Sequence, residues 1–145
     1  MVSLWNHCGM VHVREAAQSD ESAVLAVWSS CGLIRPNSDA REDFRLALQS
    51  PASTILVLEL EDLVIGAAVV GFDGHRAWFY YLGVKPEFQS TGNGRALVAA
   101  VEEWAVKKGA PKVMLMVRNT NAKVIGFYER LGYTVQETTV LGKPL

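Results

Sequence analysis

The sequence contains little cysteine, no long apolar run and no excess charge of either sign. Its two cysteines are too few for a disulfide framework, which favours a reducing compartment. No apolar stretch approaches the ~20 residues that cross a bilayer. Lys and Arg number 14 against 15 Asp and Glu, so bulk charge gives no reason to expect nucleic acid or an anionic membrane as a partner. We therefore predict a cytoplasmic protein that binds neither.

The sequence also offers no metal site and no recognisable leader. His7, Cys8 and His12 do not have the spacing of zinc ligands, so we predict no metal. Residues 1–9 lack the cationic start and apolar stretch of a signal peptide, and they show no helical or strand period. We expect them to form an extension outside the core. The length of 145 residues suits one domain, which we assign to residues 10–145.

Helix-like and strand-like runs alternate along residues 10–145, as in an ordinary globular chain. Asp20 and Asp39 are candidate N-caps for the first two helices. Three central runs read as an antiparallel meander buried on both faces, and a helix then crosses over to a later strand, which indicates a mixed α+β sheet. The predicted helices are 20–30, 39–48, 92–108 and 121–130, and the predicted strands are 11–14, 54–60, 63–72, 77–84, 113–117, 133–136 and 139–141.

A glycine-rich loop, Gln89-Ser-Thr-Gly-Asn-Gly-Arg95, joins a buried strand to the longest helix. The first turn of a helix has amide N–H groups without partners, and the helix dipole adds positive charge there, so this position can bind a phosphate. Gly92 and Gly94 would let the phosphate approach the backbone, and Arg95 can add a charged contact. The alternative is a tight turn without a ligand. We favour anion binding because of the flanking strand and helix.

Two better-known phosphate motifs do not match this loop. A P-loop ends in Gly-Lys-Ser/Thr, and this chain has Gly94-Arg95-Ala96. The dinucleotide fingerprint needs a third glycine at the position of Leu97. The motif therefore argues against ATP and NAD.

The stretch from Gln89 to Gly94 resembles the Gln/Arg-x-x-Gly-x-Gly/Ala loop of the GCN5-related N-acetyltransferases, the GNAT family. Residues 121–133 are similar to the family's Asn-x-x-Ala-x-x-Phe-Tyr-x-x-x-Gly-Phe/Tyr segment, with Val124 in place of alanine. The strings at 73–76 and 80–84 suggest its small YpeA-type bacterial branch. The resemblance implies a mostly antiparallel, twisted sheet of six to seven strands flanked by about four helices. It also implies an enzyme that moves the acetyl group of acetyl-CoA to an amine.

The resemblance assigns cofactor contacts to two segments. Backbone groups of Leu82, Gly83 and Val84 would pair with the pantetheine arm, and the Val84 N–H would polarise the acetyl carbonyl in the manner of an oxyanion hole. The pyrophosphate would lie on the loop residues Gln89, Ser90, Thr91, Gly92, Asn93, Gly94 and Arg95.

The downstream segment supplies the predicted acid. Tyr128 would face the sulfur and protonate or hydrogen-bond the departing thiolate, although it can also be read as a packing residue. Asn121 would reach the pantetheine arm, and it also suits the N-cap of its helix. Phe127 belongs to the same cofactor-contact segment, although helix packing is the preferred interpretation of its side chain.

The acceptor is predicted only as a class, the primary amine of a small molecule or of a peptide or protein N-terminus. Freeing a lysine-like amine at pH 7 costs about 4–5 kcal/mol, whereas an α-amine costs about 1 kcal/mol. Arg35 could pair with a substrate carboxylate, and Asp73, His75 or Glu87 could direct or accept the proton. Each also reads as a surface or turn residue. The alternative function is a non-catalytic acyl-CoA sensor, and the protein is expected to be a monomer or homodimer.

Overall fold

The computed structural model describes residues 2–6 and 9–145, with side chains from residue 10 onward. The interpretation of His7 and Cys8 therefore lies outside the described residues. None of the helices in the described part of the chain has the length and hydropathy needed to cross a bilayer. The elements in chain order are β1 (Val2–Asn6), β2 (Gly9–Glu15), α1 (Glu21–Ser30), α2 (Ala40–Gln49), β3 (Ser53–Leu60), β4 (Leu63–Phe72), β5 (Ala77–Val84), α3 (Asn93–Lys108), β6 (Val113–Met114) and α4 (Ala122–Arg130).

The chain divides into two compact units, Met1–Leu115 and Met116–Leu145. The first unit contains a sheet whose strands follow sequence order from β1 to β6. All neighbouring strands pair antiparallel except β5 and β6, which are parallel and are connected through α3. The second unit contains α4. The predicted mixed α+β class is confirmed.

The core of the first unit forms because apolar side chains alternate along β3 and β4. Ile55 and Val57 point to the face that α1 and α2 cover, where they pack with Trp28 and Phe44. Their neighbours on β3 are also buried and point to the other face, and α3 packs along β3, β4 and β5. As predicted, β3 and β4 are largely buried on both sides, whereas one face of β5 leaves Tyr80 exposed and Trp78 only partly buried.

Tight turns connect these strands. Glu61 and Asp62 join β3 to β4 with φ values of 48° and 64°, the conformation that two-residue hairpins require. At the turn from β4 to β5, Asp73 Oδ1 accepts the backbone N–H groups of His75 and Arg76, each at 2.7 Å. These bonds hold the end of the hairpin in an Asx turn.

The strand predictions near both ends of the chain need correction. No strand forms at 133–136 or 139–141, and the predicted strand 113–117 is reduced to Val113–Met114. The side chains from residue 134 onward are exposed, so no burial favours an extended pairing there. Conversely, Val2–Asn6 pairs along β2, where the sequence showed no period. Backbone pairing with a neighbouring strand can form without a recognisable side-chain pattern.

The two predicted N-caps behave differently. Asp39 accepts the Glu42 N–H at 3.1 Å and caps α2, as expected. Asp20 occupies the N-cap position of α1 but makes no side-chain cap bond to it. Its carboxylate instead accepts the Ala17 N–H at 2.7 Å and two N–H groups of Arg14. An available guanidinium attracts the carboxylate more strongly than a helical amide does.

Candidate functional site

A β-bulge bends β5 shortly before its end. Ala67 lies opposite Gly83 and Val69 lies opposite Tyr80, so β5 carries one more residue than β4 over this span. Tyr81 has a φ of 54°, in the left-handed region that a tyrosine rarely adopts. A bulge of this kind turns the strand and redirects its backbone groups.

The outer edge of β5 is open beyond the bulge. Strand β6 pairs only with Ala77 and Trp78, at the beginning of β5. Beyond Trp78, no strand within residues 2–6 and 9–145 pairs with this edge of β5. The edge therefore offers backbone groups to a partner other than a strand.

Val84 directs its backbone groups to this open edge. The Lys85 N–H donates to the Ile65 carbonyl at 2.8 Å, which places the preceding pair, Gly66 and Val84, at a position without inter-strand hydrogen bonds. The Val84 carbonyl accepts Gln89 Nε2 at 2.8 Å and Cys31 Sγ at 3.2 Å. The Val84 N–H points away from β4.

Gly83 lets the segment after α1 approach the strand. A Cβ at Gly83 would lie 2.9 Å from Cys31 Sγ and 3.0 Å from Leu33 Cδ1, closer than side chains normally pack. Burial raises the pKa of the Cys31 thiol, and the nearby Glu87 carboxylate raises it further. Cys31 is therefore a protonated donor rather than a thiolate nucleophile.

The glycine-rich loop is held from inside by Asn93. Its buried side chain donates to the Phe88 carbonyl at 2.8 Å and to Thr91 Oγ1 at 3.2 Å. Ser90 and Gly92 have φ values of 65° and 87°. The side chains of Asn93 and Gln89 thus support the protein's own backbone rather than facing an anion.

Helix α3 begins without a side-chain cap. Its N-cap is Gly92, and the earliest backbone bond of the helix runs from the Ala96 N–H to the Gly92 carbonyl at 3.0 Å. Its first turn carries no acidic residue, and Arg95 there is exposed. An uncapped helix start without a competing carboxylate suits an anion.

A polar cluster lies on the other side of the bulge. The Tyr81 phenol donates to Asp43 Oδ2 on α2, and its ring stacks on Trp28 with centroids 4.3 Å apart. Burial first, and the Asp43 carboxylate second, raise the pKa of Tyr81 to about 12, while Ser38 and the positive charge of Arg35 oppose this shift. The Arg35 charge therefore acts on the Tyr81 phenol. Tyr81 was not predicted from the sequence as a residue of this site, because no local sequence pattern indicates a positive φ at a tyrosine.

The remaining residues proposed to contact the acceptor lie at opposite ends of β5. Asp73 and His75 form the turn before β5, at the end opposite Val84. From His75 to Leu82 the strand spans roughly 20 Å. Asp73 and His75 therefore lie away from the Val84 end of β5, whereas the Glu87 carboxylate acts on the Cys31 thiol.

In the second unit, Tyr128 lies within an aromatic cluster. It makes edge-on contacts with Phe127 and Tyr133, at centroid distances of 5.0 and 5.6 Å. It is 7% exposed, and burial raises the pKa of its phenol well above the usual range. Asn121 Oδ1 accepts the Val124 N–H at 3.3 Å and caps α4, which agrees with its capping interpretation.

Comparisons with known sequences agree on one family. The model of the acetyltransferase (GNAT) family matches residues 14–133. An acetyltransferase of Yersinia enterocolitica is 39% identical over 135 residues, which cover 93% of this chain and 96% of that protein. An acetyltransferase of Pectobacterium atrosepticum is 38% identical over the same shares of both proteins.

Solved structures share the fold at low identity. The aminoglycoside N-acetyltransferase AAC(6')-Iy in complex with CoA has a TM-score of 0.80 at 17% identity, over 99% of both chains. The ribosomal-protein-S18-alanine N-acetyltransferase from Escherichia coli has a TM-score of 0.74 at 23% identity, over 85% of this chain and 77% of that one.

Proposed function

The chain belongs to the GNAT family of acetyltransferases, and from this premise we propose that it transfers the acetyl group of acetyl-CoA to a primary amine by direct attack. One observation carries the proposal: the uncapped start of α3 at Gly92 follows closely on the open, bulged end of β5. A phosphate site and an extended row of backbone groups are thereby connected by one short loop. Coenzyme A has both corresponding parts, a pyrophosphate and a peptide-like arm.

The loop residues fit the pyrophosphate. Main-chain N–H groups between Gln89 and Arg95 would hold it, since a helix start stabilises negative charge. Gly92 supports this because a Cβ there would meet no atom within 4 Å, so the space beside the backbone is open. Arg95 adds an exposed cation on the first turn.

The end of β5 fits the arm. Leu82 belongs to the bulge and Val84 follows it, and their backbone groups would pair with the amides of pantetheine. Because the Val84 carbonyl is already bonded to Gln89 and Cys31, Val84 would offer only its N–H. When bound, acetyl-CoA supplies the activated acetyl group, and an N–H donor at the thioester carbonyl would stabilise the charge that develops there.

We propose Tyr128 as the general acid. Its raised pKa keeps the phenol protonated across the working pH range, which a proton donor requires. The same shift makes it a weak acid, so it would act chiefly through a hydrogen bond to the departing sulfur. The protonated state of Cys31 argues against an acyl intermediate on this thiol, because a cysteine nucleophile reacts as the thiolate.

The names of two fold relatives support the proposed acceptor class. An aminoglycoside N-acetyltransferase and a ribosomal-protein alanine N-acetyltransferase both act on amines, although their acceptors differ greatly in size. A small-molecule amine and a protein N-terminus are therefore both consistent with this fold. Of the proposed acceptor residues, Arg35 and Glu87 lie near the Val84 end of β5 and are carried forward.

The test is release of free thiol from acetyl-CoA with a panel of amino acids, polyamines, aminoglycosides and peptide N-termini. We expect turnover with at least one class, and we expect acetyl-CoA to raise the melting temperature at concentrations above its Kd. The absence of both effects would refute the proposal. A thermal shift without turnover on any amine would favour the sensor function instead.

A further inference from the structure

Three segments of the chain meet at the carbonyl oxygen of Val84. Cys31 follows the last residue of α1 and donates its thiol to this oxygen at 3.2 Å. Gln89 begins the glycine-rich loop and donates its side-chain amide at 2.8 Å. The connection between α1 and α2, the end of β5 and the loop are therefore joined at a single atom.

We propose that Cys31 and Gln89 are positioning residues of the acetyl-transfer site, which together hold the Val84 carbonyl so that only the Val84 N–H faces the ligand. This rests on the proposed function, because the ligand concerned is acetyl-CoA. The pair acts through Val84, which is the residue that contacts the ligand.

The geometry fixes the peptide plane at both ends. The Val84 carbonyl and the Lys85 N–H belong to one planar peptide unit. The N–H end donates to the Ile65 carbonyl at 2.8 Å on β4, and the carbonyl end accepts the two side chains. Without these donors, the carbonyl at an open sheet edge would compete for the polar groups of the arm.

The contact between Cys31 and β5 requires a residue without a side chain at position 83. Gly83 has no side chain, and a Cβ there would lie 2.9 Å from the sulfur. The thiol is partly buried, so it stays protonated at neutral pH and keeps its donor. The segment that begins at Cys31 continues to Arg35, the proposed contact for the acceptor molecule. Cys31 therefore connects this segment to β5, the strand that would bind acetyl-CoA.

The experiment compares binding of two probes by calorimetry. Acetyl-CoA contains the arm, whereas 3′-phosphoadenosine 5′-diphosphate is the nucleotide part without it. The variants are Cys31→Ala, Cys31→Ser, which retains an O–H donor, and Gln89→Ala. The matched control is Gln18→Ala, an exposed glutamine just before α1, roughly 15 Å of helix away from Cys31.

We expect Cys31→Ala to weaken acetyl-CoA binding about fivefold and to leave the nucleotide unchanged, since one hydrogen bond is lost on the arm side only. Cys31→Ser should restore binding to within about twofold of the wild type. Gln89→Ala should weaken both probes, because it also releases the start of the loop. The amide resonance of Lys85 should shift in Cys31→Ala and Gln89→Ala but not in Gln18→Ala.

Two results would overturn the positioning role. One is a Cys31→Ala variant that binds acetyl-CoA as the wild type does. The other is equal weakening of both probes without rescue by serine, which would indicate packing alone. If the wild type binds neither probe, the proposed function itself fails, which is a distinguishable outcome. If Cys31→Ala folds too poorly for calorimetry, a shift of the Lys85 amide resonance in Gln89→Ala supports the positioning role, and an unchanged resonance contradicts it.

Discussion

Tyr81, the residue with positive φ at the bulge of β5, donates its phenol to Asp43 on α2. The two residues are 38 positions apart, and the stacked Trp28 lies beneath the tyrosine ring. A strained backbone residue persists only where its surroundings hold it. The Tyr81–Asp43 bond therefore holds the bulge that redirects the end of β5.

Removing this bond should destabilise the protein, most visibly below pH 10. Tyr81→Phe keeps the ring and should lower the free energy of unfolding by about 1–2 kcal/mol at neutral pH. The pKa of Tyr81 is raised from 10.0 to about 12, so the folded state holds this proton more tightly than the unfolded state. Its stabilising contribution is complete below pH 10 and is lost as the pH rises towards 12.

Urea denaturation at several alkaline pH values checks this prediction. The difference in unfolding free energy between wild type and Tyr81→Phe should narrow as the pH rises. Comparing the two proteins cancels the contributions of Tyr80 and Tyr128, whose pKa values are also raised. A difference that does not change with pH would contradict the interpretation.

Gly92 and Gly74 form a matched pair for the anion loop. Both have positive φ, 87° and 91°, and a Cβ at either would meet no atom within 4 Å. Replacing either by alanine should cost about 1 kcal/mol of stability through backbone strain alone. Only Gly92→Ala should weaken acetyl-CoA binding, by about tenfold, because Gly74 lies in the turn at the far end of β5. Equal binding by both variants would remove Gly92 from the site.

Gly83→Ala should destabilise the protein through overpacking. Its Cβ would lie 2.9 Å from Cys31 Sγ, and we expect a loss of about 1–3 kcal/mol. Gly71→Ala is the control, since its nearest contacts are ordinary ones at 3.4 Å. Adding Cys31→Ala to Gly83→Ala should recover part of the loss, which a double-mutant cycle of unfolding free energies would reveal. Strict additivity would show that the close approach is relieved elsewhere.

Tyr128→Phe should reduce catalysis far more than binding. Loss of a general acid is expected to lower kcat about 100-fold or more, with a change in the KM for acetyl-CoA of less than about threefold. Tyr133→Phe removes a hydroxyl from the same aromatic cluster and serves as the control. Steady-state kinetics on an acceptor from the panel makes the comparison. Equal losses in the two variants would point to packing.

Protonation of Asp20 should contribute to the loss of folding stability at low pH. Its hydrogen bonds from Arg14, at 2.7 and 2.9 Å, hold the pKa of this carboxyl below its ordinary value of 3.8. A depressed pKa adds stability that is present above that ordinary value and is lost as the pH falls through the folded value. Asp20→Asn should lower stability by about 2 kcal/mol at pH 7 and flatten the loss below pH 4. Acid titration of the circular dichroism of both proteins tests this expectation.

Local patterns alone predicted most of the fold. Apolar spacing and turn residues placed the four helices and the three central strands within a few residues of their observed bounds. Gly92 and Gly94 predicted an anion site at the helix start, and the positive φ of Gly92 is a property that a single glycine makes recognisable in a sequence. The pattern could not exclude strands at 133–136 and 139–141, where apolar residues such as Val135 and Val140 alternate with polar ones but stay exposed in the structure.

The sequence by itself thus determined the family, the class of fold and the loop, since these follow from short-range periodicity and from motifs contained within a few residues. Only the tertiary structure decided which side chains share an atom. Gln89 and Cys31 both donate to the Val84 carbonyl, although Cys31 and Val84 are 53 residues apart in the sequence. Asp73 and His75 lie in the turn before β5, at the other end of that strand from Val84. Hydrogen-bond partners distant in sequence depend on how the strands and helices pack, which no local pattern records.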